Sequence, residues 1–337
     1  MSPQLRLSLL DLAFVGRHQT TAEALQDSVA MAKAAEATGR FERIWYAEHH
    51  NMAQIASAAT SVLIAHVAAN TSTIKLGSGG VMLPNHSPLV IAEQYGTLAE
   101  LHPGRIDLGL GRAPGTDQTT VRALRRDPYA SDRFPDDVRE LQGFLGDESP
   151  VPGVVAHPGR GTHVPLYILG SSLFGAQLAA AFGLPYAFAS HFAPDYLEQA
   201  VAVYRERFQP SAQCEQPQVI AACNVVAADE AFRADQLAEQ VLRGRVRSLA
   251  ERVPGYAALF SGPEAEQDEA VDALMDSPVA AQARHMMRHT VVGDQESVAQ
   301  GLADFRDLAD ADEVMVTNAA PSLDDRLRAL EIMAQVR

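Results

Sequence analysis

The tripeptide Glu48-His49-His50 closes the run Arg43-Ile-Trp-Tyr-Ala-Glu-His-His50, where an apolar stretch gives way to a loop. Two imidazoles beside a carboxylate suit proton transfer, because imidazole titrates near neutrality and a neighbouring carboxylate tunes it. A pair of hydrogen-bonded strand-end histidines would have the same sequence, so the tripeptide needs support from elsewhere in the chain. Side chains alternate faces along a strand, so His49 and His50 are not expected to share one role.

Other residues able to do chemistry fall at comparable junctions. Gly77-Ser-Gly-Gly80 removes side chains and lets a flat ligand approach the backbone, although an ordinary turn has the same composition. Leu169-Gly-Ser-Ser172 stands directly before an expected helix, where N–H groups and two hydroxyls can hold an anion or merely cap the helix. Arg112 offers a permanent charge to the same anion, or a rim salt bridge. Asp11 and Ser190-His191 complete the set. His66 and His86 lie in or beside helices and read as structural. His285 and His289, four apart, lack a third ligand, and no metal is expected. The dinucleotide fingerprint GxGxxG fails twice, because Met82 and Pro114 occupy the third glycine position.

These junctions recur because short apolar runs alternate with amphipathic stretches, the pattern of strand-helix units around a parallel sheet. Strands are expected over residues 5–12, 44–47, 74–77, 105–111, 164–169, 185–189, 219–226 and 313–317. Helices are expected over 20–38, 57–69, 88–101, 136–145, 173–182, 195–208 and 298–308, with another from Leu323. Eight such units point to an α/β TIM (β/α)8 barrel in a single domain over 1–337, with an open doubly wound sheet as the other topology. Segment 229–289 is long, charged and helical in composition. It reads as an insertion between strands seven and eight, near the mouth, and as a mobile lid.

The 337 residues are 47% hydrophobic, enough for a large core, and the net charge of −15 with 27 scattered basic residues argues against a nucleic-acid partner. Cys214 and Cys223 are too few for a disulfide scaffold, which fits a reducing compartment. Residues 1–12 lack the features of a signal peptide, and no apolar run approaches a membrane span. A cytoplasmic protein without a membrane partner is expected.

Four strings are similar to one family in the right order: 45–52 (Trp-Tyr-Ala-Glu-His-His-Asn-Met), 76–86 (Leu-Gly-Ser-Gly-Gly-Val-Met-Leu-Pro-Asn-His), 103–117 (beginning Pro-Gly-Arg-Ile-Asp) and 182–191 (ending Ala-Ser-His). With Thr290-Val-Val-Gly-Asp294, they resemble the bacterial luciferase-like, flavin-dependent monooxygenases, most closely the single-subunit members. The resemblance spans nearly the whole chain. It implies a TIM barrel that binds FMN at its mouth, used as FMNH2 with O2 through a C4a-peroxyflavin to oxygenate a small organic substrate. It also implies a separate NAD(P)H-dependent flavin reductase and a homodimer, with the helix at 57–69 as one interface.

Residue by residue, the resemblance makes His49 the catalytic histidine and leaves His50 as support. Ala47 and Glu48 line the same strand end, and Gly79-Gly80 falls where the family carries a cis peptide against the flavin ring. Arg112, Gly170, Ser171 and Ser172 fall on the phosphate site, and His191 at the sixth strand completes the cofactor-binding set. Gly111 replaces a reactive cysteine, and Ser190 or His191 replaces a tryptophan, so light emission is not expected. Three rivals remain: an F420-dependent hydride-transfer enzyme of the same fold, a non-catalytic flavin-binding protein, and a metal hydrolase using His49 and His50.

Overall fold

The computed structural model describes residues 5–113 and 116–336. Residues 1–4, in the segment read for a leader, and Pro114 and Gly115 of the loop after strand four lie outside them. The first half of the chain runs β1 (Leu7–Asp11), α1 (Thr21–Thr38), β2 (Phe41–Tyr46), α2 (Thr60–Ala68), β3 (Lys75–Met82), α3 (Pro88–Leu101), β4 (Ile106–Gly111), α4 (Gln118–Ala123) and α5 (Phe134–Leu145). It continues with β5 (Leu166–Gly170), α6 (Leu173–Phe182), β6 (Tyr186–Phe188), α7 (Leu197–Arg207) and β7 (Val219–Ala227). Then come α8 (Ala231–Ala250), α9 (Glu264–Leu274), α10 (Pro278–Met286), β8 (Thr290–Gly293), α11 (Gln295–Leu308), β9 (Glu313–Asn318) and α12 (Leu323–Ala334).

Strands β1 to β7 and β9 pair in parallel as a closed ring of eight, with β6 against β7 and β9 against β1. The ninth strand, β8, pairs with β7 alone and extends the sheet outside the ring. Its four residues are too short a run to stand out from the surrounding helices in sequence. The glycine run also differs from expectation. It lies within β3, which continues to Met82, with a register shift between Ser78 and Val81 against β4. A Cβ on Gly79 would come within 2.6 Å of Leu10 Cδ1, and one on Gly80 within 2.7 Å of the Gly109 carbonyl oxygen. Close strand packing therefore requires these glycines whether or not a ligand lies against them. Helix starts follow local chemistry: Thr20 and Glu23 form a capping box on α1, and Gly39 ends it at φ 62°.

One apolar cluster lies between the strands and the helical shell, including Leu7, Ile44, Leu76, Leu108, Ile168 and Val316. A second fills the barrel interior, with Leu10, Trp45, Ala47, Tyr167, Ala222 and Met315. Arg43 and Trp45 of β2 and Ala47 just after it succeed one another at the two-residue period of a strand, so this segment spans three interior layers. Arg43 is 4% exposed. Its Nη1 donates to Asp107 Oδ2 at 2.6 Å and to the Tyr167 hydroxyl at 2.7 Å, and its Nε donates to Glu313 Oε1 at 2.9 Å. Ser8 donates to the same Glu313 oxygen, and Arg6 lies 3.3 Å from the other. The guanidinium thus ties β2 to β4, β5 and β9, and Glu313 extends the network to Ser8 of β1.

Removing one member strands the others. Arg43→Met should lower the free energy of unfolding by about 3–5 kcal/mol, since Asp107 and Glu313 would remain buried without their partner. Urea midpoints at unchanged slope measure this. A loss under about 1 kcal/mol, the scale of a surface pair, would show that the barrel does not depend on it.

Candidate functional site

The C-terminal ends of β1 and β2 are fastened to each other and to the following loop. The Ala47 N–H donates to the Asp11 carbonyl at 3.1 Å, and the His49 N–H to the Ser57 carbonyl at 3.1 Å. Ser57 Oγ returns to the Leu12 carbonyl at 3.0 Å. These bonds hold His49, half-buried, at the mouth of the barrel. The loop after β4 joins in, with Thr116 Oγ1 donating to the His50 carbonyl at 3.1 Å.

Glu48 is 2% exposed and has three donors around it. Oε1 lies 2.9 Å from His50 Nε2 and 2.7 Å from His86 Nε2, while the Met82 N–H donates to Oε2 at 3.2 Å. Burial works to raise the Glu48 carboxyl, but the hydrogen bonds and charge of His50 and His86 outweigh it and leave it below its usual range. The His50 ring shifts upward, chiefly through its bond to Glu48 and against the effect of burial. His50, expected as support, lies on this carboxylate. His86, expected to be a structural residue beside a helix, shares that carboxylate. No local signal links positions 48 and 86, because the register of β2 against β3 brings them together.

The ligand atoms of Glu48, His50 and His86 lie within 4.8 Å of one another, a spacing that could hold a metal ion. The sequence had offered His49 with His50, or His285 with His289, for a metal. Instead, His285 bonds Asp195 at 2.9 Å, and the His289 ring packs on Phe305 with centroids 5.4 Å apart.

At the ends of β4 and β5, the Arg112 guanidinium stacks 4.1 Å over the ring of Phe174, in the first turn of α6. Ser172 occupies the N-cap of α6, yet its hydroxyl makes no capping bond to that helix. Arg112, Gly170, Ser171 and Ser172 are therefore neighbours, and the first turn of α6 has no side-chain cap. The Gly79-Gly80 peptide is cis.

His191 follows β6 and is buried. Its Nδ1 finds no hydrogen-bond partner among the described residues, while Asn224 Nδ2 holds its carbonyl at 2.7 Å. Burial, then the charges of Arg245 and His49, push the ring down to about 3, so it is neutral near pH 7. Arg245 and Asn224 escaped the sequence reading. Asn224 sits inside an apolar strand, a detectable signal, whereas Arg245 is one of several charges on a helical segment.

A sequence profile described as luciferase-like monooxygenase matches residues 5–312. The chain belongs to the luciferase-like monooxygenase family. A luciferase-like monooxygenase of Escherichia coli (strain K12) is 46% identical over 331 residues, covering 98% of this chain and 96% of that protein. The crystal structure of apo-MsnO8 superposes with a TM-score of 0.85 at 32% identity, covering 98% of both chains. Two structures at 16% identity share the fold. One is the FMN complex of the oxygenating constituent of 3,6-diketocamphane monooxygenase from Pseudomonas putida, at TM-score 0.72 over 98% of this chain and 97% of that one. The other is an F420-dependent secondary alcohol dehydrogenase, at TM-score 0.69 over 99% of both.

The Glu48 cluster makes a signed prediction. The raised His50 stabilises the fold fully below its ordinary 6.5, and that contribution fades as pH rises through the shifted value. The depressed Glu48 contributes above its ordinary 4.5 and loses this on acidification. Glu48→Gln should therefore cost most stability between these values, about 1–3 kcal/mol, and return the His50 ring toward 6.5 in an NMR titration. An unmoved His50 titration would refute the assignment of the carboxylate as its cause.

Proposed function

We propose that the protein is a flavin-dependent monooxygenase that uses reduced FMN and O2 to oxygenate a small organic substrate. The observation that carries this reading is the convergence on one barrel mouth of a proton-handling histidine, His49, and an anion cradle. The cradle consists of Arg112, Gly170, Ser171, Ser172 and the uncapped first turn of α6. The residues fit an FMN: the cradle would take its phosphate, Gly79, Gly80 and Ala47 would accept the flat ring, and the buried, unpartnered His191 Nδ1 would offer it a polar atom. When bound, reduced FMN supplies the electrons that activate oxygen. His49 holds or moves a proton beside the ring, while Glu48 fixes the surrounding strand end through His50, His86 and Met82.

Residues 229–289 act as a lid that keeps water from the mouth, within one domain covering the chain. Support comes from Arg17, after β1, which lies 2.8 Å from Glu264 and 2.6 Å from Asp268 of α9. No helix among the described residues is long and apolar enough to cross a membrane. We place the protein in the cytoplasm beside a separate NAD(P)H-dependent flavin reductase. A homodimer through α2 and α3 accounts for the exposure of Val62 and Val90.

Anaerobic titration with FMNH2 and with reduced F420 tests the cofactor. Tighter FMNH2 binding is expected, and preference for F420 would move the protein to hydride transfer. With FMNH2 and O2, His49→Ala should keep flavin binding but lose about a hundredfold or more in substrate oxygenation. Oxygenation at the wild-type rate would remove His49 from the mechanism.

A further inference from the structure

Helix α8 carries Arg243, Arg245 and Arg247 at alternate positions, and their surroundings differ. Arg243 pairs with Asp272, and Arg247 lies 2.9 Å from Glu251. Arg245, between them, is half-buried and makes no hydrogen bond or ion pair with any described residue. Carboxylates outnumber basic residues 42 to 27 in this chain, so an unmatched, partly desolvated guanidinium needs a reason. The nearby cation, Arg252, adds repulsion, and among the described residues its side chain reaches only Met52 Sδ, at 3.5 Å.

The position of Arg245 supplies that reason. The C-terminal end of α8 rests on the loop after β2, where Gln54 Nε2 donates to Glu251 Oε2 at 3.0 Å. Arg245 also stands near enough to His191, at the end of β6, for its charge to act there together with that of His49. The C-terminal part of α8 therefore lies by the ends of β2 and β6, apart from the cradle at the ends of β4 and β5. The apolar cluster of the interior includes the small side chains of Ala47, Ala187 and Ala222, with Leu169 packed against them. A carbon skeleton suits that interior, and an anion suits the guanidinium.

We propose that Arg245 binds a carboxylate of the organic substrate, so that the enzyme acts on small organic acids. This substrate class rests on reading the mouth as the oxygenation site. A planar guanidinium matches a carboxylate through two parallel hydrogen bonds, a geometry that an amide of the same shape cannot answer with charge. The neutral His191 beside it offers a polar atom without a competing charge.

Calorimetric titration of the full chain with hexanoate and with hexanamide, in the presence and absence of FMN, tests this. Hexanoate should bind the wild type more tightly than hexanamide. Arg245→Gln should weaken hexanoate about 10- to 100-fold and leave hexanamide unchanged. Arg243→Gln, on the same helix, should keep the preference. If Arg245→Gln fails to fold, Arg245→Lys should retain part of the preference, having the charge without the fork. Equal or unmeasurable binding of the two probes to the wild type would overturn the proposal. So would a preference that survives in Arg245→Gln, an unreduced preference in Arg245→Lys, or a loss in Arg243→Gln. Failure of FMN to bind would defeat the flavin reading separately, since the acid-over-amide comparison without FMN stands alone.

Discussion

Everything in this barrel is arranged around one buried guanidinium. Arg43 reaches from β2 to Asp107 on β4, Tyr167 on β5 and Glu313 on β9, with Ser8 of β1 on the same Glu313 carboxylate. A charge in so narrow an interior is tolerable only when fully paired, so the register of five strands is tied to these contacts. Trp45 and Tyr167 pack above them edge to face, 4.9 Å apart. One end of the barrel is thereby filled, and the polar groups at the C-terminal strand ends open onto the other.

The mouth repeats the device with the charges reversed. There Glu48 is the buried ion, held by two imidazoles and an N–H. The adjacent histidines separate physically through this ion: His50 is committed to the carboxylate, while His49 is placed by its own backbone bond to Ser57. The wall that supports the histidine thus binds three segments of chain, from β2, β3 and the turn before α3. A substitution at Glu48 would disturb all three.

Helix α8 packs on the barrel through Ala234 and Leu237 against Val226 and Ala228, and α9 and α10 pack on α8; polar contacts from Arg17 to α9, Gln54 to Glu251 and His285 to Asp195 add to this. Exposed pairs of this kind are individually weak, so the buried apolar contacts of α8 carry most of the attachment. Arg245 is the exception among the arginines of α8, and its unmatched charge is what distinguishes this segment from ordinary helical packing.

The periodicity of apolar residues was enough to place the eight barrel strands, and the ordered strings around Glu48, Gly77, Arg105 and Ala187 were enough to place the chain in its family. Local preference and strand burial act over a few residues, so both are written in the sequence. The same reading stopped β3 before its glycines, passed over β8 and set His86 apart from Glu48. Those features depend on register: which residues of one strand lie opposite which of another is settled only when the ring closes. The unpaired state of Arg245 has the same origin. Its type is visible in the sequence, but whether a carboxylate waits beside it is decided by the packing of α8 by the ends of β2 and β6, a long-range contact that no neighbouring residue encodes.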